Sequence, residues 1–185
     1  MGLWGLVNTY WNLSSKWANG FYFCLSYRTF EVIVLKNFAQ LQAQEKALVY
    51  KWRTHKDVAS YMRNEKISWK EHLEFLESLK GDLSKKYFLV FYGDEAIGVI
   101  DFVDICEESC EFGMYQSPNL KGYGGVLMQT LLQYAFETLK VKSLYARAFN
   151  TNTKAISLYL AYGFNFFKKD CLMSYFVKSA GEGGL

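Results

Sequence analysis

Strands alternating with helices from Val32 onward predict an α/β (α+β) fold with one mixed sheet flanked by helices. Three observations point there: short apolar runs bounded by Gly and Asp turns, amphipathic helices with recognisable caps, and a glycine loop between a strand and a helix. With 185 residues the chain can bury one proper core and is too short for two ordinary domains.

Residues 32–38 read as a first strand, opening on Val32-Ile33-Val34-Leu35, and residues 44–54 and 56–63 as a broken helical region. Ser68 and Glu71 stand in capping-box spacing, so a second helix starts there. Leu73, Leu76 and Leu79 give its expected apolar face, Trp69 and Phe75 lie alongside, and Gly81 ends it. Residues 87–92 and 96–105 flank a Gly93-Asp94 turn and make a hairpin, followed by a strand over residues 110–115. A helix over residues 124–140 carries a wide apolar stripe of Leu127, Leu131 and Ala135, broadened by Met128, Leu132, Phe136 and Leu139, which suits packing on a sheet. Residues 143–149 form another strand, residues 153–162 a helix ended by Gly163, and residues 165–167 and 172–178 a last hairpin.

Residues 1–31 hold Trp4, Trp11 and Trp17 among Asn, Ser and Gly, with Lys16 between, and show no clear helix or strand period. They lack the basic start and clean apolar stretch of a signal peptide. The expectation is an extension outside the core, of the kind an upstream start codon adds. Residues 32–178 then form the domain and residues 179–185 a flexible tail.

Composition excludes several classes. A net charge of +3 with no basic stripe is no nucleic-acid footprint. No run reaches the roughly 18 apolar residues of a membrane span. Cys24, Cys106, Cys110 and Cys171 form no C-x-x-C pair, and His55 and His72 stand apart from them, so no metal site is expected. Reduced thiols in a cytoplasmic protein are the reading of the cysteines.

The most informative stretch is Asn119-Leu120-Lys121-Gly122-Tyr123-Gly124-Gly125. Its glycines leave backbone N–H groups uncovered, and the following helix points its positive end at the same spot. Together they make a pyrophosphate cradle. The loop is not G-x-G-x-x-G and no acidic residue ends the next strand, which argues against a dinucleotide; no Gly-Lys-Ser/Thr follows, which excludes a Walker loop.

The loop has companions in fixed order. Glu111-Phe112-Gly113-Met114-Tyr115 precedes it, and Asn152-x-x-Ala155-Ile156-x-Leu158-Tyr159 and Gly163-Phe164 follow. This set resembles the GNAT superfamily of acetyl-CoA-dependent N-acetyltransferases, whose loop reads Gln/Arg-x-x-Gly-x-Gly/Ala; Asn119 is the departure here. The resemblance implies a GNAT fold, with a mixed, mostly antiparallel sheet of about seven strands and about four helices. It is closer still to the superfamily's sugar-nucleotide branch of the pseudaminic acid pathway, through Lys51-Trp52-Arg53-x-His55, Glu71-His72-Leu73-x-Phe75-Leu76, Lys85–Val90, Gly98–Phe102 and Ser109–Gly113. That branch acetylates the 4-amino group of UDP-4-amino-4,6-dideoxy-N-acetyl-β-L-altrosamine for flagellin glycosylation. A UDP-amino-sugar substrate and acetyl-CoA as cosubstrate, without metal, are what it implies.

Roles follow for particular residues. In the superfamily the Tyr at the place of Tyr159 protonates the departing CoA thiolate; packing as a core Tyr is its other use. Glu111 and Ser109 alternate on one strand face, where a carboxylate could draw the amine proton and a hydroxyl relay it; a strand Glu held by a salt bridge is the other reading. Cys110 points the opposite way, which favours direct transfer over an acetyl-cysteine. Gly113, Met114 and Tyr115 are expected to offer backbone groups to the pantetheine arm. Lys121, Gly122, Tyr123, Gly124, Gly125, Asn152 and Lys154 are expected to line the groove for the rest of CoA. On the amino-terminal helices, Arg53 could clamp a diphosphate and His72 hydrogen-bond the nucleotide, while Met62, Phe75 and Tyr115 supply an apolar wall. Two rivals remain: an acetyltransferase for a protein amino terminus or small amine, and a non-catalytic flagellar interaction protein. The oligomeric state stays open, a homodimer included.

Overall fold

The computed structural model describes residues 20–24, as backbone, and residues 32–181. Eight strands form one sheet in the order β1-β2-β3-β4-β5-β6-β8-β7. They are β1 Gly20–Cys24, β2 Val32–Asn37, β3 Lys86–Tyr92, β4 Glu95–Val103, β5 Ser109–Gln116, β6 Ser143–Phe149, β7 Asn165–Lys169 and β8 Met173–Ser179. Every neighbouring pair is antiparallel except β5 and β6, which run parallel. β1 falls within the expected extension; Trp4, Trp11, Lys16 and Trp17, like residues 182–185, lie outside the described residues.

The helices are α1 Ala43–Arg53, α2 Lys56–Ala59, α3 Trp69–Ser78, α4 Gly124–Gln133 and α5 Thr153–Ala161. The broken region expected after the first strand is α1 and the single turn α2, and α2 is the addition to the four helices expected. The Ser68 capping box forms as read: Ser68 Oγ accepts from Glu71 N at 3.2 Å, and Glu71 Oε2 accepts from Ser68 N at 2.6 Å. The buried face of α3 differs from the expected one. His72, Leu76 and Leu79 are buried, whereas Leu73 and Trp69 stand exposed. The leucine spacing was right for Leu76 and Leu79, but the stripe continues through His72. α4 runs on into a π-helical segment, Tyr134–Leu139, and stops at Lys140 in the left-handed conformation.

The sheet separates two apolar clusters. The larger is built on Ile100, Phe102, Cys110, Phe112, Leu144 and Phe176 from the strands, with Leu127, Met128 and Leu131 of α4 and Tyr159 of α5. The smaller joins Leu89 and Val99 to Val49 and Trp52 of α1 and Leu76 of α3. Truncating one of the fully buried leucines of the larger cluster to Ala would cost about 2–5 kcal/mol.

A bulge decides which residues of β4 face which cluster. Val90 pairs with Gly98 but Phe91 with Ala96, so Ile97 is the extra residue. Ile97, Ile100 and Phe102 belong to the larger cluster, although 97 is odd and the others even. The one-residue shift turns Val99 and Asp101 toward the α1/α3 face. Ile97 O accepts from Ser117 N at 2.8 Å, which anchors the end of β5 beside the bulge.

Candidate active site

The parallel pairing of β5 with β6 is short. It covers Ser109–Ser143, Cys110–Leu144 and Glu111–Tyr145. Beyond Glu111, β5 continues to Gln116 and β6 to Phe149 without pairing, so the two strands part and open a split in the sheet. Gly113, Met114 and Tyr115 therefore lie on a strand whose β6 side is free to pair with an extended ligand.

The glycine loop stands at the far end of β5. Gly122 has φ 89°, a left-handed conformation in which a side chain would be strained. α4 has no side-chain cap at its start. Its first backbone bond runs from Leu127 N to Tyr123 O at 2.9 Å, which leaves the N–H groups of Gly124, Gly125 and Val126 without helical partners. Gly124 and Gly125 also let α5 come close. A Cβ at Gly125 would sit 3.0 Å from Tyr162 Oη, and that hydroxyl donates to Gly125 O at 3.2 Å. Lys121, Lys154 and Asn119 are exposed. Asn152 caps α5, its Oδ1 accepting from Ala155 N at 3.1 Å.

Sequence reading missed Gln116. Its Oε1 accepts from Tyr123 N at 2.8 Å and its Nε2 donates to Leu120 O, so one amide holds both sides of the loop. An amide at the end of a strand, seven residues before Tyr123, carries no motif, and only the folded turn shows its use.

Tyr159 lies in the larger cluster, 5% exposed, with the rings of Phe112, Phe164 and Phe176 tilted or edge-on to it. Among the described residues its hydroxyl makes no hydrogen bond. Burial first, then the charges of Asp101 and Glu111, push its phenol far above the ordinary tyrosine range. The phenol thus stays protonated and lies within electrostatic reach of the opposite face.

On that face Glu111 is ion-paired: Arg147 Nε donates to its Oε1 at 2.8 Å. Burial raises its pKa and Arg147 opposes the shift. Of the two sequence readings for Glu111, the salt-bridged strand residue is the one this contact describes. Ser109 lies on the same face, but its oxygens neighbour Cys106, whose Sγ donates to Ser109 O at 3.3 Å. Cys110 is buried in the larger cluster, where burial pushes its thiol up to about 12; it faces away from these carboxylates.

Asp101 is the second carboxylate, and sequence reading passed over it. It is paired across the sheet with Tyr87 on β3 and Gly113 on β5. A Cβ on Gly113 would lie 2.6 Å from Asp101 Oδ1 and 2.9 Å from Oδ2, so the missing side chain is what makes room for the carboxylate. Burial, then the Glu111 charge, raise its pKa to about 7, against a backbone hydrogen bond from Gly113. The signal was present as an Asp between Ile100 and Phe102 in an apolar strand.

Burial lowers the pKa of Arg53 from its ordinary value, and Tyr115 nearby acts the other way. Its Nη2 donates to Asn64 O, and its Nη1 is the one buried side-chain nitrogen or oxygen among the described residues without a partner. Tyr115 is half-buried beside the smaller cluster, and Phe75 packs edge-on against Tyr87 with ring centroids 5.0 Å apart. Met62 is half-buried in the turn after α2. His72 is not brought to the group. It is 4% exposed and its Nε2 bonds Lys46 O at 3.1 Å, which ties α3 to α1. Desolvation holds its pKa low.

Comparison with known proteins bears on the family and the fold. The model of the acetyltransferase (GNAT) domain matches residues 37–165. Acetyltransferase PseH of Campylobacter jejuni is 50% identical over 139 residues, 75% of this chain and 88% of that protein. The crystal structure of that organism's N-acetyltransferase PseH in complex with acetyl coenzyme A superposes with a TM-score of 0.71 at 46% identity, covering 80% of this chain and 99% of the other. Spermidine N-acetyltransferase from Vibrio cholerae, in complex with CoA and spermine, shares the fold at a TM-score of 0.70 and 20% identity, over 80% of this chain and 95% of the other.

Proposed function

This chain belongs to the GNAT acetyltransferase family, and from that premise we propose that it transfers acetyl from acetyl-CoA directly to the 4-amino group of a UDP-linked 4-amino-4,6-dideoxy sugar. The observation that carries the reading is the split between β5 and β6, with the uncapped glycine loop at one end and Tyr159 packed edge-on against Phe112 of β5.

In this reading the pantetheine arm lies in the split and pairs with the free edge of Gly113-Met114-Tyr115. The pyrophosphate meets the N–H groups of Gly124, Gly125 and Val126, while Lys121 and Lys154 add charge at the rim. The acceptor enters from the α1/α3 face. The orphaned Arg53 Nη1 supplies a donor for an anionic group there, and Phe75 and Tyr115 give apolar wall. Attack by the amine expels the CoA thiolate, and Tyr159 protonates it. Cys110 faces the opposite core, which supports transfer without an acetyl-cysteine. The place in pseudaminic acid synthesis, and hence flagellin glycosylation in the cytoplasm, rests on the likeness to PseH. No helix among the described residues is long and apolar enough to cross a membrane.

The test is acetyl-CoA consumption across a panel of UDP-4-amino sugars, simple amines and peptides with free amino termini. The reading expects turnover with a UDP-4-amino sugar at a kcat/KM well above that of any amine or peptide. No turnover with any UDP-sugar overturns the substrate, and acetylation of a peptide instead favours the rival acceptor.

A further inference from the structure

The row Tyr87, Asp101 and Gly113 crosses three neighbouring strands on the α1/α3 face and ends where β5 loses its pairing with β6. Asp101 is the carboxylate of that row. Its two oxygens lean over Gly113 so closely that no side chain fits there. Among the described residues it has no ion-pair partner, whereas Glu111 on the same face is held by Arg147. The geometry points to Asp101, not Glu111, as the general base that accepts the proton of the incoming ammonium group. This rests on the acetyltransferase reading above and deepens it.

An amine reaches the site as an ammonium ion and has no lone pair until it loses a proton. Asp101 Oδ takes that proton and later returns it to solvent. The freed nitrogen attacks the acetyl carbonyl, the C–N bond forms and the C–S bond breaks. Tyr159 gives its phenolic proton to the sulfur, and the second proton lost from nitrogen restores the phenol. One ammonium and one thioester thus yield one amide, one thiol and one proton.

The surroundings suit this work. On its own face Asp101 acts on the phenols of Tyr87 on β3 and Tyr115 on β5, and its charge also reaches Tyr159 across the sheet. Glu111, beside Gly113 and paired with Arg147, acts on Asp101, and Asp104 acts on Tyr87 and Glu111. All three phenols are raised by burial and stay neutral, so Glu111 is the neighbouring charge, and it repels a second negative charge. Burial first, then that Glu111 charge, raise the pKa of Asp101 to about 7, where a base can be unprotonated in water at neutral pH and still bind a proton firmly. Arg53 acts on Tyr115 and lies farther along the same face.

The test compares Asp101→Asn and Glu111→Gln with the parent, using whichever amine the parent acetylates, so that failure of the sugar reading leaves the assay standing. Asp101→Asn is expected to lose about 10²-fold or more in kcat. Its KM for acetyl-CoA should hold, and the rise of rate through pH 7 expected of the parent should be absent. Glu111→Gln should keep that rise. Acetyl-CoA binding by calorimetry verifies that each variant is folded. Independently of any acceptor, 13C NMR of labelled aspartate should show one carboxyl titrating near pH 7 in the parent and none in Asp101→Asn. Asp101→Asn at the parent's rate with the same pH profile, or a parent with no aspartate titrating near 7, overturns the assignment.

Discussion

The two faces of the sheet are built from different materials. The α4/α5 face is a continuous apolar cluster of aliphatic and aromatic side chains, and Tyr159 brings its hydroxyl to it. The α1/α3 face carries a smaller apolar cluster and, beside it, Asp101, Glu111, Tyr87, Tyr115 and Arg53. The split between β5 and β6 is where the two communicate. In the proposed reading the cofactor borders the apolar face, and the acceptor meets the polar one, where Arg53 Nη1 has no partner among the described residues. Tyr159 belongs to the first by packing and to the second by charge.

The comparison breaks most readily at Tyr159. Tyr159→Phe keeps every ring contact and removes a hydroxyl that makes no hydrogen bond among the described residues, so its Tm should stay near the parent's. Its kcat in acetyl-CoA consumption should fall by about 10²-fold or more. An unchanged rate would assign Tyr159 to packing alone. Gly113→Ala strikes the other face. Its new Cβ would meet Asp101 at 2.6 Å, and displacing that carboxylate should lower kcat by about 10²-fold while acetyl-CoA still binds.

Gln116→Ala should act on the cofactor alone. It removes the bonds to Tyr123 N and Leu120 O that hold the loop, so KM for acetyl-CoA should rise about tenfold with a smaller change in kcat. A further test reads stability rather than rate. Asp101 titrates at about 7 folded, against about 3.9 in an unfolded chain. Between those values the native state holds a proton that the unfolded state has released, so stability falls as pH rises from about 4 to about 7. Thermal melts across that range should show the parent losing Tm while Asp101→Asn does not.

These tests also mark what the sequence made legible. Capping, periodicity and turn residues located the strands of the domain and its helices, because each is a local signal: the Ser68–Glu71 box and the Gly163 stop form where they were read. The glycine loop and Tyr159 were legible as motif. Features set by pairing between distant strands were not. The bulge at Ile97 decides that Asp101 faces α1 and α3, and no single strand's pattern shows it. Arg147 becomes the partner of Glu111 through a sheet contact 36 residues away in the chain. From its place on the amino-terminal helices His72 reads as a nucleotide contact, with a core histidine as the other reading. It lies on the buried stripe of α3 with its nitrogen on Lys46 O, a tie between α3 and α1 set by tertiary packing.

Hydrogen–deuterium exchange with acetyl-CoA alone tests the division between the faces most directly. Protection should appear on β5 beyond Glu111, through the glycine loop and into the first turn of α4, with α1 and α3 exchanging as in the free protein. Protection centred on α1 and α3, with none along β5 and the start of α4, would contradict it.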